Sequence, residues 1–209
     1  MVFCCQIYFL YILYTFFWKI LQKVLTFFVI FFQLIDTHRE KILNNMRRVK
    51  VTEKFVYFYH GIFSNWSPLP ADYNEIRFSS SEHLFMYLKA MFFNDDVKAK
   101  EIIQAPDYRT AKKLGRKISG FDQESWEQVR EDMMYKSLKA KFDTNEDFRQ
   151  ALLSKDFMGK TFVEASPYDN IWGIGISVKD AFEGKEWQGK NLLGKVLTQL
   201  RDEKLKELK

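Results

Sequence analysis

The hydrophobic residues of this chain follow two different patterns. Residues 1–35 are almost continuously apolar and carry only two charged side chains, Lys19 and Lys23. From Met46 onward, apolar residues recur at helical spacing or in short aromatic and β-branched runs that polar turns separate. The change predicts a hydrophobic N-terminal extension and linker over residues 1–45 and one globular domain over residues 46–209.

Within the globular part, the patterns predict more helix than strand. The aromatic run Phe55–Tyr59 is typical of a strand, and Glu75–Phe78 of a short partner strand. Helices are expected at Leu84–Phe93, Tyr108–Ile118, Asp122–Lys141, Asn145–Leu153 and Asn191–Leu208, and further strands at Phe162–Ala165 and Ile174–Val178. The predicted fold class is mainly α (α+β), a compact helical domain with a small β-sheet.

The N-terminal extension allows three interpretations. Met1–Trp18 is uncharged and close to the length that spans a bilayer, and the lysines that follow it favour a cytoplasmic body. The stretch is therefore a membrane anchor, a helix on a membrane surface, or the product of a reading frame whose true start is Met46. A cytoplasmic domain is expected, anchored to a membrane only if residues 1–35 are expressed.

Charge and cysteine content exclude several classes of site. The formal net charge is +5, but acidic and basic residues are interspersed along the globular part, so no nucleic-acid footprint is visible. The two cysteines, Cys4 and Cys5, are adjacent, which excludes a disulfide framework. With three histidines in the whole chain, a zinc centre is not expected.

The first candidate for chemistry is the turn at residues 164–175, which Pro167, Gly173 and Gly175 punctuate. It presents a carboxylate at Asp169 and an indole at Trp172, separated by the amide of Asn170. An indole stacks on a flat base while a carboxylate binds sugar hydroxyls, so this combination suits a nucleoside-like ligand. The alternative is a rigid corner whose tryptophan fills the core.

The second candidate is the helix that begins near Ser81. Glu82 and Lys89 lie seven residues apart, on one helical face and ~10.5 Å from each other. Lys89 has strongly apolar neighbours, and desolvation there would lower the pKa of its amine and make it a nucleophile or Schiff-base former. The alternatives are that Glu82 completes a capping box with Ser79 and that Lys89 extends to the surface.

Three further features are weaker indications of a ligand-binding site. Trp126 on the long helix is either a core residue or a platform for a ligand. Trp66 follows Asn65 in a polar loop that Pro68 fixes. Residues 189–194 open the last helix with two glycines, and N–H groups there could hold a phosphate, although the spacing matches neither a P-loop nor a dinucleotide fingerprint.

Several linked motifs together resemble the NADAR, or YbiA-like, family of N-glycosidases over residues 55–201. In order, they are Phe63-Ser64-Asn65, Ser81-Glu82-His83 with Lys89-Ala90, Ala111-Lys112-Lys113-Leu114-Gly115-Arg116, Glu164-Ala165-Ser166-Pro167 with Asp169-Asn170-Ile171-Trp172-Gly173-Ile174-Gly175, and Trp187-Gln188-Gly189-Lys190-Asn191-Leu192-Leu193-Gly194. The resemblance implies cleavage of the base–ribose bond of phosphorylated riboflavin-pathway intermediates, or removal of ADP-ribose from guanine. It implies no cofactor.

The resemblance implies that Glu82, Lys89, Trp126, Asp169, Asn170 and Trp172 line the pocket. The chemistry of N-ribosyl cleavage adds a hypothesis, in which Lys89 captures the anomeric carbon as a Schiff base and either Glu82 or Asp169 acts as general acid and base. The substrate-binding residues expected are Phe63, Asn65, Arg116, Trp126, Asn170, Trp172, Gly173 and Asn191, with Arg116 and Asn191 near a phosphate. The partner is a small-molecule N-riboside or ADP-ribosyl compound, and nucleic acid only if ADP-ribosylated guanine in DNA is the substrate.

One departure from the family pattern keeps other functions open. Many relatives carry glutamine where Met86 stands, so a hydrogen bond to the ligand is missing here. This favours, as an alternative, a catalytically weak module that binds ADP-ribose or another nucleotide. A further alternative is a structural partner of a membrane protein, anchored by residues 1–35. The sequence predicts no oligomeric state.

Overall fold

The computed structural model describes residues 49–208 and, nearer the N-terminus, residues 18, 22–28, 30 and 33. The chain divides into two compact units, Met1–Asn44 and Asn45–Lys209. The described residues of the first unit are helical, and none of the helices described in the chain is both long and apolar enough to cross a membrane. Most of the proposed anchor at residues 1–35 lies outside the described residues.

Two small sheets belong to the second unit. Strands β1 (Val49–Val51), β2 (Phe55–Phe58) and β5 (Thr161–Glu164) form one sheet, in which β2 pairs antiparallel with β1 and parallel with β5. Strands β3 (Ala71–Tyr73) and β4 (Ile76–Phe78) form a separate antiparallel hairpin. The strand predicted at Glu75–Phe78 as a partner of Phe55–Tyr59 therefore pairs with β3 of this hairpin instead. Its two-residue turn, Asn74-Glu75, has positive φ at both positions, as a tight hairpin turn requires.

Helices make up most of the regular secondary structure of this unit, and the predicted mainly α (α+β) fold class is confirmed. They are α1 (Ser81–Phe92), α2 (Asp96–Ile103), α3 (Tyr108–Gly115), α4 (Gln123–Thr144), α5 (Glu146–Leu152), α6 (Val178–Phe182) and α7 (Leu192–Glu207), with a 3₁₀ turn at Lys155–Phe157. Aspartates 95, 107 and 122 cap α2, α3 and α4, because each carboxylate accepts a backbone N–H of the first turn.

Two local predictions are wrong. The N-cap of α1 is Ser80, whose hydroxyl accepts the His83 N–H, so Ser79 and Glu82 form no capping box. The segment at 174–178 is not a strand: Gly175 turns the chain at φ 72°, and Val178 begins α6. The side chain of Glu82 is thereby free of a capping role.

Helix α1 lies at the centre of the second unit. Helix α1 packs against α2, α3 and α4, while α7 packs against α4 and β5. Aromatic side chains from β2, β5 and the following loops fill the space beneath them, with Phe58, Phe63 and Phe162 fully buried. This packing brings the carboxyl ends of β2 and β5 to the same space as α1 and the C-terminal half of α3.

Candidate active site

A cavity of about 580 Å³ opens where α1, α3 and the carboxyl ends of β2 and β5 meet. The turn after β5 forms one of its walls. Seven predicted site residues line this cavity although they come from five separate parts of the chain: Asn65, Glu82, Lys89, Arg116, Trp126, Asp169 and Trp172. The fold thus gathers an amine, carboxylates and indoles around one space.

Glu82 is buried at the cavity and firmly held. The Ser81 hydroxyl donates to Oδ1 of Asn65 over 2.7 Å, and this orients the Asn65 amide so that its Nδ2 donates to Oε2 of Glu82 over 3.1 Å. On the other side, the Lys112 ammonium lies 3.4 Å from Oε1 of Glu82. Both oxygens of this carboxylate therefore have a partner, and Asn65 acts through Glu82 as well as lining the cavity.

Lys89 is half-buried in an aromatic environment. Its amine donates to the carbonyl of Gly115 over 3.2 Å and lies 4.1 Å from the ring centre of Phe121 and 5.5 Å from that of Trp126. Burial lowers the pKa of the amine below its ordinary value, so more of it is neutral near pH 7 than for a lysine in water. The structure places this amine at the cavity.

The turn after β5 is built on the carboxylate of Asp169. Its Oδ1 accepts the backbone N–H groups of Ile171 over 2.9 Å and of Trp172 over 2.8 Å. The Trp172 ring then meets Phe85 edge-on, with 5.3 Å between ring centres, and Phe85 also contacts Trp126. Asp169 therefore fixes the indole that lines the cavity.

Backbone hydrogen bonds from the start of α7 and the two residues before it hold the turn after β5 in place. Backbone N–H groups at residues 190–193 donate to the carbonyls of residues 170–173 over 2.9 to 3.2 Å. Asn191 adds two side-chain bonds, in which Oδ1 accepts the Glu164 N–H and Nδ2 donates to the Phe162 carbonyl. This corrects the expectation that Asn191 lies near a phosphate, because these donors already have protein partners and Asn191 is buried away from the cavity.

Three other predicted binding residues also lie away from the cavity. Phe63 is fully buried, and its ring packs against Phe157 and Phe162, so it is a core residue. Gly173 is buried where a Cβ would come within 2.9 Å of two carbonyl oxygens, so it is required for close backbone packing. Asn170 is exposed and outside the lining, and its carbonyl accepts the Lys190 N–H.

Sequence reasoning missed one carboxylate, that of Glu164 at the end of β5. Its side chain lines the cavity together with Glu82 and Asp169. Burial, and then repulsion by Asp169 and Glu82, raise the pKa of Glu164 to about 8, while Lys112 opposes this shift. An available signal was its place near the end of the predicted strand Phe162–Ala165, just before the turn that carries Asp169.

An aromatic and cationic rim borders the cavity. The Trp66 and Tyr108 rings stack with 5.6 Å between centres, and the Lys112 ammonium lies 4.6 Å from the Trp66 ring centre. Tyr168 also lines the cavity and is 88% exposed. Met86 lies against Gly115, where a Cβ would come within 2.2 Å of its sulfur. The rim offers flat surfaces and positive charge to a ligand.

Comparisons with known proteins agree with this geometry. The chain is 36% identical over 170 residues to N-glycosidase R617 of Acanthamoeba polyphaga mimivirus, covering 73% of this chain and 97% of that protein. It is 34% identical over 156 residues to the chloroplastic riboflavin biosynthesis protein PYRR of Zea mays, covering 68% of this chain but 23% of that protein. The solution structure of Escherichia coli YbiA superposes with a TM-score of 0.62 at 28% identity, covering 77% of this chain and 90% of YbiA. Since the family profile of the NADAR domain also matches residues 54–205, the chain belongs to the NADAR domain family.

Proposed function

We propose that this protein is an N-glycosyl hydrolase that cleaves the base–ribose bond of a phosphorylated N-riboside. The observation that carries the proposal is the meeting of the Lys89 amine with three carboxyl groups in a cavity that three indoles border. Cleavage of such a bond develops positive charge on the anomeric carbon and negative charge on the base, which calls for this combination of groups. A viral relative is named an N-glycosidase, in keeping with this chemistry.

The substrate class follows from the size and charge of the cavity. About 580 Å³ suits a ligand the size of a nucleotide. The cations of Lys112 and Arg116 lie on the same wall and suit a phosphate. We propose a phosphorylated riboflavin-pathway intermediate or ADP-ribosylated guanine as the substrate, and the name of the maize relative supports the first of these.

In the proposed reaction, the neutral amine of Lys89 forms a bond to the anomeric carbon. The bond from this carbon to the base breaks, and its electron pair stays on the base nitrogen, which takes up a proton. The sugar ring then opens as the ring oxygen accepts a proton from the lysine nitrogen, which leaves a protonated imine. Water adds to the imine carbon, and collapse of the adduct releases the sugar and restores the amine.

The other groups bind and orient the substrate. Trp172, with Trp126 beside it, supports the flat base. Asp169 uses Oδ1 to fix the turn, so Oδ2 is the oxygen that binds ribose hydroxyls. Glu82, held by Asn65 and Lys112, stabilises the positive charge that develops on the sugar.

The test uses the full-length protein. It is offered a ribosylated pyrimidine phosphate, ADP-ribose and ADP-ribosylated guanine, and release of the base or of ADP-ribose is followed. Lys89→Ala should lose at least ~100-fold in kcat, whereas Lys113→Ala, which removes an exposed lysine outside the cavity, should not. Borohydride should trap a sugar adduct on Lys89, located by mass spectrometry. Turnover by Lys89→Ala at the rate of the original protein would refute the Schiff base.

A second candidate is a module that binds ADP-ribose or another nucleotide with weak catalysis. The observation that favours it is Met86, which lines the cavity with a thioether at the position where the family resemblance implies a glutamine. Ligand binding would then raise the melting temperature without turnover. Met86→Gln should restore turnover if the missing hydrogen bond is the reason.

A further inference from the structure

The three carboxylates of the cavity differ in their partners. Glu82 accepts from Asn65 and pairs with Lys112, and Asp169 accepts two backbone N–H groups. Among the residues that the structure describes, none donates a hydrogen bond to the Glu164 carboxyl group or forms an ion pair with it. Glu164 is thus the carboxyl group of the three that keeps both oxygens available to a ligand, whereas Asp169 keeps only Oδ2.

The backbone of Glu164 is rigidly placed. Its N–H donates to Oδ1 of Asn191 over 3.0 Å, and its carbonyl accepts the Ile174 N–H over 2.9 Å. It also pairs in register with Phe58 of the parallel strand β2. A proton donor must keep a fixed position relative to the leaving atom, and this backbone provides it.

The surroundings of Glu164 favour its neutral form. Burial is the largest cause, and the carboxylates of Asp169 and Glu82 add to it by repelling a third negative charge, while the Lys112 cation opposes both effects. The resulting pKa of about 8 leaves the Glu164 carboxyl group largely protonated at pH 7. The other titratable groups that face the cavity are Tyr59, His60, Lys89, Arg116 and Tyr168.

We propose that Glu164 is the general acid of the reaction and delivers its proton to the nitrogen of the departing base. This inference rests on the proposed function and assigns the acid that the sequence left open between Glu82 and Asp169. As the bond between the anomeric carbon and nitrogen breaks, its electron pair stays on nitrogen, which receives the proton of Glu164. The carboxylate that remains takes a proton from the water that adds to the imine, so the acid is restored after each turnover.

The experiment compares two leaving groups with the full-length protein. One substrate is the N-riboside that the original protein cleaves, and the other is 4-nitrophenyl ribofuranoside 5-phosphate, whose leaving group departs without a proton. Glu164→Gln should lose about 10²-fold to 10⁴-fold in kcat on the N-riboside. On the nitrophenyl substrate it should stay within about fivefold of the original protein, because no general acid is needed.

The pH profile provides a readout that a structural role would not change. The kcat/KM of the original protein on the N-riboside should fall above about pH 8, as Glu164 of the ligand-free protein loses its proton. That decline should be absent with the nitrophenyl substrate. Glu164→Asp, which keeps an acid on a shorter side chain, should recover part of the N-riboside activity and retain the decline.

The outcomes separate the two proposals. An equal loss on both substrates in Glu164→Gln, with folding confirmed by thermal unfolding, would overturn the role of Glu164 and leave the N-glycosyl hydrolase standing. The same holds if Glu164→Gln keeps the N-riboside activity of the original protein. If the original protein cleaves neither of the two substrates nor any other N-riboside offered, the proposed function fails and this inference fails with it.

Discussion

Replacing Glu164 by glutamine should make the protein more stable while making it less active. The pKa of Glu164 is raised from its ordinary value of 4.5 to about 8 in the folded protein. At about 1.36 kcal/mol for each pH unit of difference, the ionised carboxylate lowers the free energy of unfolding by about 5 kcal/mol at pH 8 and above. Water in the open cavity screens these charges, so we expect about half of this, about 2 to 3 kcal/mol.

The direction of the pH dependence follows from the raised pKa. The stability that neutral Glu164 provides is fully present below pH 4.5 and is lost as the pH rises toward 8. A glutamine at this position is neutral at every pH, so the variant does not lose this stability as the pH rises. The advantage of Glu164→Gln over the original protein should therefore be near zero at pH 4.5 and largest at pH 8.

Urea unfolding at pH 4.5, 6 and 8 measures this difference directly. At pH 8 the melting temperature of Glu164→Gln should also be higher by about 5 to 10 °C for a protein of this length. Glu124→Gln is the matched control, since Glu124 is exposed in the first turn of α4 and should show no such gain. A Glu164→Gln variant that is less stable than the original protein at pH 8, or whose advantage does not grow with pH, would refute the reasoning.

Two further predictions concern the supports of the site. In Gly189→Ala, the new Cβ would lie 2.3 Å from the Gly173 carbonyl oxygen, so we expect a loss of about 1 to 3 kcal/mol in urea unfolding and reduced turnover. Gly184→Ala, with open space around the Cβ, should lose stability through its positive φ but keep the activity. Lys141 is fully buried, donates to the carbonyls of Ile62 and Ser64, and has its pKa lowered by burial to about 7. A lowered lysine pKa makes folding more favourable as the pH rises toward 10.5. Between pH 8 and pH 10, the free energy of unfolding should therefore increase less in Lys141→Met than in the original protein. An equal increase in both proteins would contradict this prediction.

The sequence predicted the residues that line the cavity better than it predicted the residues that pack behind them. Lys89, Glu82 and Trp172 could be placed at one site because helical spacing, an apolar neighbourhood and family motifs all act over short stretches of chain. Phe63 and Asn191 lie in equally clear motifs, yet the structure places both in the packing behind the site. A motif records that a residue type is required, but it does not distinguish contact with a ligand from contact with the backbone.

The predicted capping box and the predicted strand at residues 174–178 are wrong because local sequence preference did not decide either one. Ser79 and Ser80 are equivalent as N-caps by residue type, but the Ser80 hydroxyl caps α1, and the Glu82 N–H of its first turn donates to the remote carbonyl of Asn65. The alternation at Ile174-Gly175-Ile176 looks extended, but Gly175 takes a positive φ where the chain passes close to Gln188. In both cases a contact remote in sequence overrides a local preference.

By itself, the sequence determined the mainly helical fold class, the family and the set of residue types that meet at the cavity. These depend on periodicity, caps and linked motifs, which are local properties of the chain. Only the tertiary structure decided which carboxyl group is neutral. That property depends on how far Glu164 is removed from water and how near Asp169 and Glu82 lie to it, because the energy of a charge is set by its surroundings in space and not by its neighbours in the chain.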